Sequence, residues 1–398
     1  MKEINLSRPD IFFACVWLSV TILAYADLYY MGFDESVFVT SLITVNIASF
    51  FVAYKFVNYG MDKFPSLAQQ RDVHLSQSQI DKLSLANFFL FLLWCFLFSF
   101  VVYKSGGVPI LWRMAHINKS YTDFGVPTLS GFANMIRAFI FCLSIVLWLK
   151  VKEKRALVIA VILLTTSLLE FARANTIYLV LHGVAIILLL RPLRIKHIAA
   201  IAVVIPILVI LFGIVEQIRT PNGSGGEAIQ KYTSVLNKLP YGFTTTYLYL
   251  TTPVSNLYYA VNKGIVPNNF PYYTLQTVLP TILRDQIHVP NRYPIALRRE
   301  SHNATTFYSP FIADYGIMVA GFLVFVIQFF VSWVHLQAMR GDIFYSLIYS
   351  PLFASIALSF FYNYFITLGV LLFPVITFGV RLYVIRSTKL TRVVRPHA

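Results

Sequence analysis

Ten stretches of this chain run for about twenty residues each with almost no charged side chain, roughly 11–27, 36–57, 85–104, 131–150, 155–171, 174–191, 196–216, 310–335, 343–361 and 363–382. A run of that length matches the ~30 Å hydrocarbon core of a bilayer when it is helical. Inside lipid no water is present to satisfy backbone N–H and C=O groups, so each run must satisfy its own, and helix is the state that does so. Only 12% of the 398 residues are charged, against about 25% in soluble domains. The expected fold is therefore all-α and polytopic, with about ten transmembrane helices.

Lys and Arg set the direction. With the N-terminus inside, the inside segments carry 19 of the 32 Lys and Arg, and the short outside loops carry Lys104, Arg113, Lys119 and Arg173. Cytoplasmic loops are the ones enriched in these residues, so both termini are expected in the cytoplasm. Residues 216–309 then form one long, partly helical outer (periplasmic) loop. It separates a seven-span bundle, 1–215, from a three-span bundle with a basic tail, 310–398. Its eight Lys and Arg do not count against this placement, because long loops translocate largely regardless of charge. The net charge of +15 falls at span ends and not along one stripe, which argues against nucleic acid as a partner.

Several chemistries find no motif. Cys15, Cys95 and Cys142 all lie inside expected spans and read as core residues. No His/Cys/Asp grouping has metal-ligand spacing. There is no phosphate-cradling GxxxxGK[ST], no nucleophile elbow, and no cofactor is implied. The first apolar run lacks a small-residue cleavage site and reads as a retained span.

The charges near the outer ends of spans carry the functional reading. Arg137 lies about two turns into the fourth span, where a charge costs at least ~2.5 kcal/mol unless it snorkels or is paired. It reads either as a snorkelling residue or as an anion ligand facing a cavity. Glu170 and Arg173 are three apart and would share a helix face if the fifth span continued that far. Arg173 then reads either as a salt-bridged turn residue or as a phosphate ligand, since a planar guanidinium suits bidentate phosphate contact. Glu216 and Arg219 repeat the spacing at the end of the seventh span. The loop 105–130 reads as an interfacial hairpin or as one wall of an outer site, with Arg113 or His116 pointing in. His182, alone in the sixth span, reads as a hydrogen-bonded core residue.

Within the long loop, residues 241–260 are apolar and aromatic, but Pro253 and the topology argue against an eleventh span. They read as a helix in or on the membrane interface, or re-entrant. Tyr247, Tyr258 and Tyr259 could anchor it or stack on sugar rings. Further on, Arg284, Arg292, Arg298 and Arg299 form the densest outer positive cluster. His302 stands just before the eighth span as the group able to take a proton near neutral pH. Asp314 lies about one turn inside that span.

The tight ARANT turn at 172–176, YTDFGVPTLSG at 121–131, YLTTPVSNL at 249–257 and HNATTFYSPFIADYGIMVAG at 302–321 together resemble the Wzy-type oligosaccharide repeat-unit polymerases of O-antigen and related polysaccharides. The resemblance implies a multi-span, GT-C-like glycosyltransferase of the bacterial inner membrane, acting on the periplasmic face without a nucleotide sugar. Its substrate would be an undecaprenyl-pyrophosphate-linked oligosaccharide, and it leaves room for a polysaccharide chain-length regulator as partner. It assigns pyrophosphate binding to Arg173, with further matches at Arg137, Arg219 and Arg284, and Arg298 and Arg299 belong to the same basic set. The base expected for the acceptor hydroxyl is His302, then Glu170 or Asp314. Rival readings are an O-antigen ligase-like transferase and, from another class, a flippase for lipid-linked oligosaccharides. The flippase is disfavoured because the inner halves of the spans, His182 apart, hold almost no ionisable group.

Overall fold

The computed structural model describes residues 6–28, 33–63, 76–191, 241–286, 295–298 and 304–393. Every regular element among them is helical: α1 (Pro9–Tyr25), α2 (Val37–Lys63), α3 (Gln77–Ser105), α4 (Pro109–Met114), α5 (Leu129–Val151), α6 (Lys154–Leu169), α7 (Arg173–Leu190), α8 (Tyr241–Lys263), α9 (Tyr272–Val278), α10 (Thr281–Gln286), α11 (Tyr308–Met339), α12 (Ile343–Ala357) and α13 (Leu368–Val393), with a 3₁₀ turn at Tyr121–Asp123. Nine of the ten expected spans coincide with helices. The seventh, 196–216, lies outside the described residues. Five helical segments, within α2, α3–α4, α5, α11 and α13, are long and apolar enough to cross a membrane.

The exterior fits lipid. On α2, Phe38, Val45, Val52, Phe56 and Tyr59 face outward, and on α3 so do Phe89, Leu92, Phe96, Phe100 and Tyr103. These spacings of three, four and seven put each set on one helix face. A soluble protein turns such a stripe inward; contiguous exposed apolar surface of this extent marks a membrane contact.

The interior has two aromatic-rich cores. One joins α1, α2, α8, α11 and α12 around Phe13, Trp17, Phe50 and Phe353. The other joins α3, α5, α6, α7, α12 and α13 around Trp94, Phe139, Leu163 and Phe373. Helix α12 belongs to both, and 13 of its 15 residues are buried, so it is the central staff. Its small residues let neighbours come close, and its hydroxyls supply interhelical bonds. Ser350 Oγ lies 3.0 Å from His182 Nδ1 and 3.2 Å from Cys142 Sγ, joining α12 to α7 and α5. His182 is thus a hydrogen-bonded core residue. Cys142 is buried as expected, whereas Cys15 is exposed on the outer surface of α1.

Several helix limits differ from the sequence reading, and three departures have a local cause. Helix α3 begins eight residues earlier, because Ser76 and Gln79 form a reciprocal capping box that starts it at Gln77. Helix α12 stops at Ala357. A linker then bonds across the bundle, Phe307 N to Ser359 O at 2.9 Å and Asn363 Nδ2 to Phe307 O at 3.1 Å, so α13 starts at Leu368 and not directly after residue 362. Helix α11 breaks at Gly316, whose φ of 82° and ψ of 171° are open essentially to glycine alone.

At the end expected in the cytoplasm, the residues before and at the start of α1 are tied down. Tyr349 donates to Ser7 O at 2.5 Å, and Ser7 Oγ lies 3.1 Å from His335 Nε2. Arg8 pairs with the buried Asp10 at 2.6 Å and lies over the Tyr54 ring. Tyr54 OH reaches His335 Nδ1 at 3.3 Å. The inner ends of α1, α2 and α11 therefore hold more ionisable side chains than the span-by-span reading allowed.

Helix α8 packs against the other end of the bundle. Tyr247 OH donates to Leu23 O and accepts from Leu28 N, both at 2.9 Å. Tyr258 OH meets Thr40 Oγ1 at 3.0 Å, and Tyr249 packs on Phe361. All these partners lie at or beyond the outer ends of α1, α2 and α12. The long loop is not a separate layer at this point, since Val254, Leu257 and Tyr258 share the core of Trp17 and Phe50.

Candidate functional site

Helices α3, α5, α6 and α7 come together with the loop 105–130 at the same outer end. The loop is folded and anchored. Gly106, at φ 73°, closes α3, and Lys119 Nζ donates to the last carbonyl of that helix, Ser105 O, at 3.0 Å. Trp112 Nε1 donates to Gly106 O at 2.8 Å with Lys119 over its ring. Ser120 and Asp123 cap the 3₁₀ turn reciprocally. Ser105 Oγ then accepts from Gly125 N at 3.1 Å, and Ser130 Oγ from Val126 N at 2.7 Å.

Thr128 is the joint between this loop and α5. Its φ of 68° and ψ of −52°, with Leu129 N bonded to Pro127 O at 2.8 Å, make a γ-turn of the strained hand. A β-branched residue at positive φ is a true outlier, and strain of this kind persists only where the surroundings impose it, often at functional sites.

The opposite wall is the turn between α6 and α7. Helix α6 ends at Leu169, Glu170 caps it, and Phe171 has φ 53°. The fifth span therefore does not continue far enough to align Glu170 with Arg173. Glu170 instead meets Arg137: Nη1 to Oε1 is 2.5 Å and Nη2 to Oε2 3.3 Å, with both side chains almost fully buried. Arg137 Nη2 also donates to Asn134 Oδ1 at 2.8 Å. A carboxylate at a helix C-terminus faces the wrong end of the macrodipole; the guanidinium offsets this. Asn175 Nδ2 approaches Glu170 Oε2 at 3.4 Å.

Between the walls lies a small, open-mouthed cleft of about 70 Å³, below the ~300–1,000 Å³ typical of small-molecule sites. Phe98 and Val101 line it from α3, and Tyr121 and Phe124 from the loop. Ser130, Ala133 and Asn134 come from α5, and Glu170, Ala172 and Asn175 from the turn and α7. The loop is thus one wall of a cleft at the end expected outside. Arg113 and His116, named from sequence, are exposed and do not line it. Tyr121, Phe124, Asn134 and Asn175 were not singled out as site residues. The signal for Asn134 and Asn175 was their position beside Arg137 and Arg173.

Among the described residues, Arg137, Arg284 and Arg298 are not gathered in one hollow. Arg137 is 2% exposed and paired with a carboxylate, so it faces neither headgroups nor a free anion. Arg284, on α10, makes two long contacts, to Gln276 O and Thr281 Oγ1, while its buried Nε has no partner among the described residues. Arg298 pairs with Asp34 at 2.9 Å and lies over Tyr259. Arg173 is the first residue of α7, in the chain between the cleft residues Ala172 and Asn175; its side chain lies outside the description, as do residues Arg219, Arg292, Arg299 and His302.

Asp314 is buried, and its two oxygens accept from Tyr273 N at 3.0 Å and Thr274 N at 2.7 Å. Both bonds fall at the start of α9, so the carboxylate anchors that helix to α11. The tyrosines are likewise engaged. Tyr258 is 0% exposed and Tyr247 7%, which leaves neither ring a face for a sugar, and burial pushes both phenols up. Tyr259 is half-buried between Lys263 and Arg298. No group of three or more His, Cys, Asp or Glu among the described residues could hold a metal ion. Comparison of the chain with protein-family models, with curated proteins and with solved structures finds no match.

Proposed function

We propose that this protein is a membrane-embedded glycosyltransferase that joins lipid-pyrophosphate-linked oligosaccharide repeat units on the non-cytoplasmic face, an O-antigen polymerase of the bacterial inner membrane. The observation that carries the reading is the cleft at the cation-poor end of the bundle. It combines a buried, charge-compensated carboxylate, two asparagines and three aromatic rings, with Arg173 following Ala172 in the chain at its wall. Aromatic faces and amide groups suit a saccharide. A cation beside them suits its phosphate leaving group.

In this reaction the acceptor hydroxyl oxygen attacks the anomeric carbon of the donor glycan. The anomeric C–O bond breaks, and the lipid pyrophosphate departs with the electron pair. The hydroxyl proton goes to a base. His302 and Glu170 are the candidates; Asp314, committed to two backbone N–H groups, is better suited to holding the loop. Arg173 and Arg219 are assigned to the pyrophosphate. The fitting experiment uses purified full-length protein and a lipid-pyrophosphate repeat unit, with products separated by length. A ladder is expected from the wild type, and a single unextended repeat from Arg173→Ala at equal protein level. A wild-type protein that forms no ladder refutes the proposal.

A further inference from the structure

Residues 264–283 hold no charged side chain, although they belong to the long loop and not to a span. Loops in water are normally polar. Pro267, Pro271 and Pro280 keep this stretch from forming one continuous helix. Lys263 and Arg284 bracket it.

The stretch is pinned to α11 where that helix breaks. Ala313 O and Asp314 O, just before the break, accept from Asn268 N at 3.1 Å and Asn269 N at 2.8 Å. Pro267 lies against Gly316, where an added Cβ would meet its ring at 3.3 Å. Past the break, residues 317–339 of α11 measure about 35 Å at the rise of a helix, enough to cross the ~30 Å hydrocarbon core. That sets Gly316, and the loop bonded to it, at the rim of the hydrocarbon.

The loop is apolar on two sides. Ile265 and Tyr273 pack inward with Ala260 and Ala313. Val266, Phe270 and Tyr272 face outward, Val266 at 84% exposure, and the rings of Phe270 and Tyr272 are 4.4 Å apart. Two residues past the break Met318 is 87% exposed, and Phe322, Val326 and Phe329 continue an exposed apolar stripe along α11. Through the contact of Pro267 with Gly316, the loop's outward patch adjoins the stripe by which that span meets lipid.

We propose that residues 264–283 lie in the interface of the non-cytoplasmic leaflet, with Val266, Phe270 and Tyr272 inserted among its lipids. Aromatic side chains are enriched at that level, and the cations Lys263 and Arg284 at the two ends suit the lipid phosphates. The occupant is lipid because the patch prolongs a lipid-facing surface. The proposal is independent of the glycosyltransferase reading.

The test measures depth. Oxygen partitions into lipid and a nickel chelate into water, so the ratio of their collision rates with a nitroxide reports how deep the label sits. Full-length protein, with Cys15, Cys95 and Cys142 replaced, carries the label at Val266→Cys, Phe270→Cys, Met318→Cys or Ser120→Cys in liposomes of phosphatidylethanolamine and phosphatidylglycerol. Ser120 is an exposed residue of the loop 105–130 and marks the aqueous value. The ratio at Val266→Cys and Phe270→Cys is expected several-fold above that value, closer to Met318→Cys, and constant as the vesicles are diluted with lipid. A ratio at Val266→Cys closer to Ser120→Cys overturns the proposal and leaves the patch for a protein partner. A ratio that falls toward Ser120→Cys on dilution also overturns it, in favour of a second copy. Val266, the more exposed position, decides if the two disagree. Should the cysteine-free background fail to fold, Val266→Trp in the native chain serves instead. Its added fluorescence is expected to be quenched by lipids brominated near the glycerol end of the acyl chain, and absence of that quenching overturns the proposal.

Discussion

Arg137 and Glu170 sit 33 positions apart in the chain and within hydrogen-bond distance in the fold. Removing one partner of a buried ion pair leaves the other charge uncompensated, at a cost of about 3–5 kcal/mol, whereas replacing both with apolar side chains can be neutral or stabilising. Glu170→Ala should therefore lower the thermal midpoint in detergent sharply, and the double variant Arg137→Met, Glu170→Ala should recover most of the loss. Equal melting of Glu170→Ala and wild type would show that the pair carries no such weight. Both residues stood out in the sequence, Arg137 by its depth and Glu170 by its neighbour Arg173. What the sequence could not give was the partner. Spacing favours Arg173 only on a continuous helix, and Phe171 in the left-handed region ends that continuity. A tertiary contact decided the pairing, and local spacing carries no information about it.

At the level of elements, the spans were readable because lipid leaves an apolar run of twenty residues one conformation. Their ends were less so. The extra two turns of α3 follow from Ser76 and Gln79, a capping signal present in the sequence and outweighed there by hydropathy. The Gly316 break and the Asp314 anchor were not readable, since Asp314 answers to α9, whose N–H groups reach it from 41 and 40 residues away, and Gly316 lies against Pro267. Helix α9 has seven residues, too few to persist alone in water, so its N-terminal bonds to Asp314 matter. Asp314→Ala leaves two N–H groups unsatisfied, each worth about 1–3 kcal/mol. The expected result is faster hydrogen exchange at Tyr273 and Thr274 with protection of α5 and α12 unchanged; exchange unaltered at those two amides would exclude the anchoring role.

For the molecule as a whole, orientation is the property on which the outer-face chemistry depends. The loop 105–130, the α6–α7 turn and α8 all occupy one end of the bundle, the end expected outside from the distribution of Lys and Arg. Single cysteines introduced at Ser120→Cys and Gln77→Cys, in a background with Cys15, Cys95 and Cys142 replaced, test this in intact cells. An impermeant maleimide should label the first directly and the second only after permeabilisation; the opposite pattern would invert the topology and move the cleft to the cytoplasm.

The clasp around Ser7 has a consequence for biogenesis. Its partners, His335 and Tyr349, are more than 300 residues further along the chain, and Trp17 of α1 donates to Ser359 in the same way. Helix α1 is translated ahead of these partners, so its packing on α2 through Phe13 and Phe50 comes within reach first and the clasp closes only once α11 and α12 are in place.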